Sequence, residues 1–237
     1  MKIVAIVQAR MGSTRLPNKV MMKINSVPMI ELLFNRLSKS ININQVVLAT
    51  SNNENNLPLV EHIKGLGYEV FSGDENNVLD RYFHAAKLFE ADAIVRITGD
   101  CPLVDSTLVD EVINGFIDTN SDYASNREPP TYPDGLDVEV VSIEALEEAQ
   151  ENVQDDFQRE HVTPYIINSD IYKKFYLKNS EDLSLERWTV DEPEDFNVVQ
   201  NIFNFFYPIV DFSWKEVMQL RRSNPKIFTE NQYLIRN

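Results

Sequence analysis

A chain of 237 residues with 37 Asp and Glu against 22 Lys and Arg carries a formal net charge of −15. That balance argues against a general nucleic-acid surface or an anionic-membrane surface, since both need a basic face. Hydrophobic residues at 43% and charged residues at 25% fit a soluble globular protein with a substantial core, and a single cysteine leaves no intramolecular disulfide.

The first apolar run, Ile3 to Val7, predicts a strand buried on both faces of a parallel sheet. It meets Gln8 and Arg10 too soon for a signal peptide or a membrane span, so a cytoplasmic protein is expected. Arg10, Arg15 and Lys19 then fall within ten residues, among Gly12, Ser13 and Thr14, whose backbone and hydroxyl donors suit an anion held close to the main chain. Open α/β sheets bind ligands outside the carboxyl ends of their strands, so this loop is the candidate polyphosphate site. Its spacing is neither a Walker loop nor a dinucleotide fingerprint, which leaves most of the binding to side-chain cations.

Further along, Ile30, Leu33, Phe34 and Leu37 predict a helix over 29–37 behind Pro28, followed by a strand over 45–49 and a polar loop over 52–56. A helix over 59–66, ended by Gly67, leads to a strand over 68–71, and Ser72 to Asn77 reads as a turn. A helix lined by Val78, Leu79, Tyr82, Phe83 and Ala86 precedes a strand over 93–97. This repeated βαβ pattern implies an α/β fold with a mainly parallel, twisted sheet flanked by helices. Asp100 sits just past a strand, and Asp105 or Ser106 can cap the helix carrying Leu108, Val109, Val112, Ile113 and Phe116. From 120 to about 184, Pro129, Pro130, Pro133 and Gly135 break the alternation, and a strand over 136–141 carries alternating acids at Asp137 and Glu139. This stretch is expected to leave the sheet and to supply substrate contacts or a subunit interface. An extended piece over 187–190, a helix over 193–206 and a short helix over 214–221 complete the chain.

The loop Gln8-Ala-Arg-Met-Gly-Ser-Thr-Arg-Leu-Pro-Asn-Lys19 resembles the signature of the sugar-acid cytidylyltransferases, the group of the CMP-Kdo and CMP-sialic acid synthetases, and especially its SpsF-type spore coat polysaccharide branch. Further matches follow in order at Gly99-Asp-Cys-Pro-Leu103, Pro130-Thr-Tyr-Pro-Asp-Gly-Leu-Asp-Val-Glu139, Arg159-Glu-His-Val-Thr-Pro164 and Thr189-Val-Asp-Glu-Pro-Glu-Asp-Phe196. The resemblance implies a nucleotide-diphospho-sugar transferase-like fold, a single nucleotidyltransferase domain over 1–237, and an inserted substrate or dimerisation region over about 120–184 of a homodimer. It implies attack by a sugar-acid hydroxyl on the α-phosphate of CTP, giving a CMP-sugar and pyrophosphate for polysaccharide biosynthesis. Gln8, Ala9, Arg10, Gly12, Ser13, Arg15, Lys19, Ser72 and Gly73 would hold the nucleotide. Asp100 and Asp191 would be the ligands of its magnesium ion.

Magnesium is normally bound by one or two carboxylates together with phosphate oxygens and water, so two aspartates past strand ends meet the need. From the residues alone, Asp191 serves equally as an N-cap with Glu194 at the third helical position, and Asp100 also suits a turn. Arg96 faces substrate or solvent. Tyr132, Asp134, Asp137 and Glu139 bind sugar hydroxyls or form a turn and an exposed strand face. His161 contacts substrate or lies on a helix, while His62 and His84 are read as structural or solvated. The lack of a His/Cys cluster argues against zinc, and Cys101 is read as a packing residue. A glycosyltransferase or other nucleotidyltransferase on a similar fold, and a catalytically silent nucleotide binder, are the competing readings.

Overall fold

In the computed structural model, which describes residues 1–234, β1 (Ile3–Gln8) is the central strand, and five of its six residues are buried. Its side chains alternate between two cores, with Ile3, Ala5 and Val7 on one face and Val4 and Ile6 on the other. This accounts for its unbroken apolar run. A short hairpin of β2 (Lys23–Ile24) and β3 (Val27–Pro28) leads into α1 (Met29–Leu37), whose bounds match the sequence expectation. Next come β4 (Gln45–Ser51), α2 (Leu57–Gly65), β5 (Glu69–Gly73), α3 (Val78–Leu88), β6 (Ala93–Thr98) and α4 (Ser106–Thr119). Asp105 Oδ1 accepts the Leu108 N–H and so caps α4. Ser72 and Gly73 belong to the end of β5, where Gly73 pairs with Ser51, and not to a turn as expected; the turn begins at Asp74.

The stretch expected to leave the sheet extends it instead. It supplies β7 (Tyr123–Ser125), β8 (Glu139–Ser142), α5 (Ile143–Asn152), the short α6 (Asp156–His161) and α7 (Pro164–Asn168), and β9 (Lys174–Tyr176). Among the described residues the main sheet runs β5-β4-β1-β6-β8-β7-β9. The first four in that order are parallel, and β8 pairs antiparallel with both β6 and β7. Residues 136–138 fall outside β8, because Asn126 takes up the Val138 N–H and the Leu136 carbonyl with its side-chain amide.

Helices α1, α2 and α4 cover one face of the sheet, and α3, α5 and α7 the other. A third core joins Met29, Leu32, Tyr132 and Trp188 to α8 (Pro193–Phe206) and α9 (Trp214–Ser223). No helix among the described residues is long and apolar enough to cross a membrane.

Candidate active site

The cationic loop is fastened where β1 and β6 end. The Gly99 N–H donates to the Gln8 carbonyl at 2.8 Å, and a Cβ on Gly99 would stand 2.6 Å from that of Ala9, so only glycine lets these strand ends close. Asn56 ties the loop from the other side. Its Oδ1 accepts the Met11 N–H at 2.8 Å while its Nδ2 donates to Ser51 Oγ at 2.7 Å. Asn18, in the left-handed region at φ 60°, then starts a 3-10 turn over Lys19–Met21 that buries the lysine.

Lys19 Nζ donates to the Val190 carbonyl at 2.8 Å, to Asp191 Oδ1 at 2.9 Å and to Asp100 Oδ2 at 3.1 Å. Burial works to strip the ammonium of its proton, but the charges of Asp100 and Asp191 outweigh it and hold the Lys19 pKa above the usual lysine value. Burial likewise favours the neutral acid at Asp100, and the Lys19 charge overcomes it, keeping that carboxyl below its ordinary range. The other two loop cations are also paired. Arg15 reaches Asp191 Oδ1 at 3.1 Å and Glu192 Oε1 at 3.5 Å, and Arg10 reaches Glu75 Oε1 at 3.1 Å.

Asp191 is not the N-cap of α8. Glu192 holds that position, and Asp195 Oδ2 accepts the N–H of both Asp191 and Glu192 at 3.0 Å, which leaves the Asp191 carboxylate turned toward Lys19 and Arg187.

Two cavities adjoin the loop. A 270 Å³ cavity is lined by loop residues from Gln8 to Lys19, by Thr98, Gly99 and Asp100, and by Asp191. A 780 Å³ cavity lies between the Asp74–Asn77 turn and the α6 residues Asp156, Arg159 and Glu160. Gln8, Arg10 and Arg81 border both. Sequence reading passed over Arg81 because it fell inside an amphipathic helix pattern. The residue is 2% exposed, Nη1 donates to the Asp74 carbonyl at 2.8 Å, and Nε has no acceptor; burial pulls its pKa down. Gln8 Oε1 is also buried without a donor. Each is a buried polar atom without a partner beside the two cavities.

The remaining sequence-predicted residues lie apart from these two cavities. Arg96 pairs with Glu139, which also accepts from the Tyr123 and Thr163 hydroxyls at 2.7 Å, in a network with Glu139 only 2% exposed. Of the exposed strand face expected there, Glu139 is thus buried, while Asp137 is partly exposed and precedes the strand. Burial favours neutral Glu139, but Arg96 holds its carboxyl below the ordinary value. Tyr132 packs edge-on against Trp214 in the third core. Asp134 pairs with Arg187 at 3.2 Å, and Asp137 stands 3.8 Å from Arg127. His161 is exposed at the end of α6, its ring against Phe157. The Cys101 thiol is buried and pushed well up by burial, with the Asp100 charge adding to the shift. It is a packing group.

Among the described residues no three His, Cys, Asp or Glu gather as a metal-binding group, but Asp100 and Asp191 already share one cation, the Lys19 ammonium. Two carboxylates completed by phosphate oxygens and water are the set that magnesium takes, so the residues fit that ion.

The sequence model of the cytidylyltransferase family matches residues 4–221, and the chain belongs to that family of nucleotidyltransferases. The chain is 33% identical over 239 residues to the spore coat polysaccharide biosynthesis protein SpsF of Bacillus subtilis, covering 97% of this chain and 98% of that protein. A 3-deoxy-manno-octulosonate cytidylyltransferase of Geobacter metallireducens is 33% identical over 115 residues, 48% of this chain and 44% of that protein. Among solved structures, a cytidylyltransferase from Leptospira borgpetersenii superposes with a TM-score of 0.92 at 32% identity, covering 96% of this chain and 97% of that one.

Proposed function

We propose that the enzyme transfers CMP from CTP to a hydroxyl of a sugar acid of the ulosonic or nonulosonic type, with magnesium as the companion ion and pyrophosphate as the second product. The observation that carries this reading is the meeting of Lys19, Arg15, Asp100 and Asp191 at one point on the loop cavity. Arg10, Arg15 and Lys19 leave their carboxylates for the phosphates. There they take up the charge that moves onto pyrophosphate as the acceptor oxygen bonds to the α-phosphorus. Asp100 and Asp191 would hold the magnesium ion, which when bound would supply further neutralisation and polarise the α-phosphate.

The nucleoside occupies the larger cavity, whose rim is the turn that Ser72 and Gly73 deliver from the end of β5. The acceptor lies on the side of Asp134, which shares Arg187 with Asp191, and of Asp137. In this reading Arg96, Glu139 and Tyr132 act from within the packing, and His161 from the exposed end of α6. The name of the SpsF relative supports a place in surface polysaccharide or glycan biosynthesis. We place the enzyme in the cytoplasm as one nucleotidyltransferase domain, with residues 120–184 forming the contact of a homodimer.

The test is pyrophosphate release with magnesium, trying CTP, UTP, ATP and GTP against a panel of sugar acids. Wild type, Asp100→Ala and Asp191→Ala are compared. Acceptor-dependent release with CTP, lost in both variants while circular dichroism is unchanged, is the expected outcome. Nucleotide binding without release for any acceptor would overturn the reading.

A further inference from the structure

The two oxygens of Asp191 face different partners. Oδ1 meets Lys19 and Arg15 at 2.9 and 3.1 Å on the cavity side, and Oδ2 meets Arg187 Nη2 at 3.4 Å on the inner side. Arg187 is itself firmly held. Its Nε and Nη2 make a two-pronged contact with Asp195, both at 2.9 Å, its Nη1 reaches Asp134 at 3.2 Å, and its side chain is 5% exposed. Asp195, fully buried, also accepts from Asn231 Nδ2 at 2.9 Å, and the same amide nitrogen donates to the Arg187 carbonyl at 3.0 Å. A planar guanidinium fixed on three carboxylates cannot swing away as a lysine could.

Resting on the reading of Asp191 as a metal ligand, we infer that Arg187 is a positioning residue that makes Asp191 a one-oxygen ligand and so sets the preference for a magnesium-sized ion over calcium. Calcium takes six to eight oxygens and often both oxygens of a carboxylate, whereas magnesium takes single oxygens in an octahedron. Two-oxygen binding at Asp191 would draw Oδ2 off Arg187 and leave a buried guanidinium with less counter-charge. The cost falls on calcium. The backbone contributes as well, because Asp195 holds the Asp191 N–H at 3.0 Å and so fixes the point from which the carboxylate projects.

The test measures metal binding directly. Mn²⁺ is bound to the full-length protein with CTP and no acceptor, and electron paramagnetic resonance follows its displacement by Mg²⁺ and by Ca²⁺. Wild type, Arg187→Met, Arg187→Lys and Asp191→Asn are compared. Arg187→Met is expected to shift the Ca²⁺/Mg²⁺ competition ratio toward Ca²⁺ by roughly tenfold, the lower end of what loss of an outer partner does to a metal site. Arg187→Lys, which keeps the charge but not the fork, is expected to restore part of it. If Arg187→Met does not fold, Asn231→Ala loosens the same clamp and takes its place in the comparison. An unchanged ratio in a folded clamp variant, with Mn²⁺ binding lost in Asp191→Asn, overturns this inference alone. Mn²⁺ binding that survives in Asp191→Asn overturns the metal reading beneath it.

Discussion

Replacing Lys19 by methionine keeps the apolar stem and removes the charge that joins Asp100 to Asp191. The ammonium stands 3.1 and 2.9 Å from their carboxylates. At an effective dielectric of ~20 each pair is worth about 5 kcal/mol of Coulomb energy. Desolvation of the buried lysine offsets a large share of that, and loss of one partner from a buried pair costs about 3–5 kcal/mol net. For a chain of this length the Tm falls by roughly 10 °C. The pH dependence follows from the two shifts. Asp100, held below its ordinary pKa, contributes stability that is present above the usual carboxylate range and is lost as pH falls through its folded value. Lys19, held above its usual value, contributes stability until pH rises through its own raised pKa. The Tm gap between wild type and Lys19→Met is therefore full near neutral pH and narrows in acid. Scanning calorimetry across that range reads it. In the reaction, loss of a donor to the developing charge lowers kcat by about 10²–10³. A Tm gap that stays constant into acid, or a kcat within about tenfold of wild type, refutes the reasoning.

Two other substitutions separate packing from ligand contact. Glu139→Gln leaves Arg96 buried beside a neutral amide and costs about 3–5 kcal/mol, read by thermal unfolding. The wild type loses the Glu139 contribution only as pH falls through its depressed value, so the two melting temperatures converge in acid. Arg81→Met behaves in the opposite way. It removes a buried cation whose Nε has no acceptor, so the Tm holds or rises, while KM for the nucleotide climbs roughly tenfold with the loss of one contact to it, about 1.4 kcal/mol.

Much of the architecture was legible because hydrophobic spacing and burial coincide. The run Ile3 to Val7 is buried on both faces as its unbroken apolar pattern implies, and Ile30, Leu33, Phe34 and Leu37 face one core as their period implies. The region after Asn120 was not legible. Its strands are three or four residues long, and the pairing of β8 with β6, through which β7 and β9 join the sheet, is set at long range. Asp137 and Glu139 looked like one exposed acidic face, yet Glu139 is buried because Arg96 lies opposite it in the ladder, and no local pattern encodes such a partner. The sequence leaves Asp191 open between N-cap of α8 and metal ligand for a related reason: Asp191-Glu-Pro-Glu-Asp195 offers several acids at similar spacing, and the fold puts Glu192 at the cap with Asp195 turned back on the helix. The loop cations and both aspartates could be named from the sequence. Asn56, Arg81 and Arg187, which hold or border them, sit in stretches that read locally as a polar loop, an amphipathic helix and an extended piece, and nothing in those patterns points across the fold to the site.

The pairing of every loop cation with a carboxylate changes how a polyanion is captured. On the proposed role of the loop, substrate binding is an exchange of anionic partners rather than the filling of a bare positive site. A protein of net charge −15 also repels such a substrate from afar, over a range of about 10 Å at 0.1 M salt. Raising the ionic strength modestly screens that repulsion and loosens the half-exposed Arg10–Glu75 and Arg15–Glu192 pairs that must open. Capture therefore speeds up with moderate salt, the reverse of the behaviour of a basic protein that steers a polyanion inward.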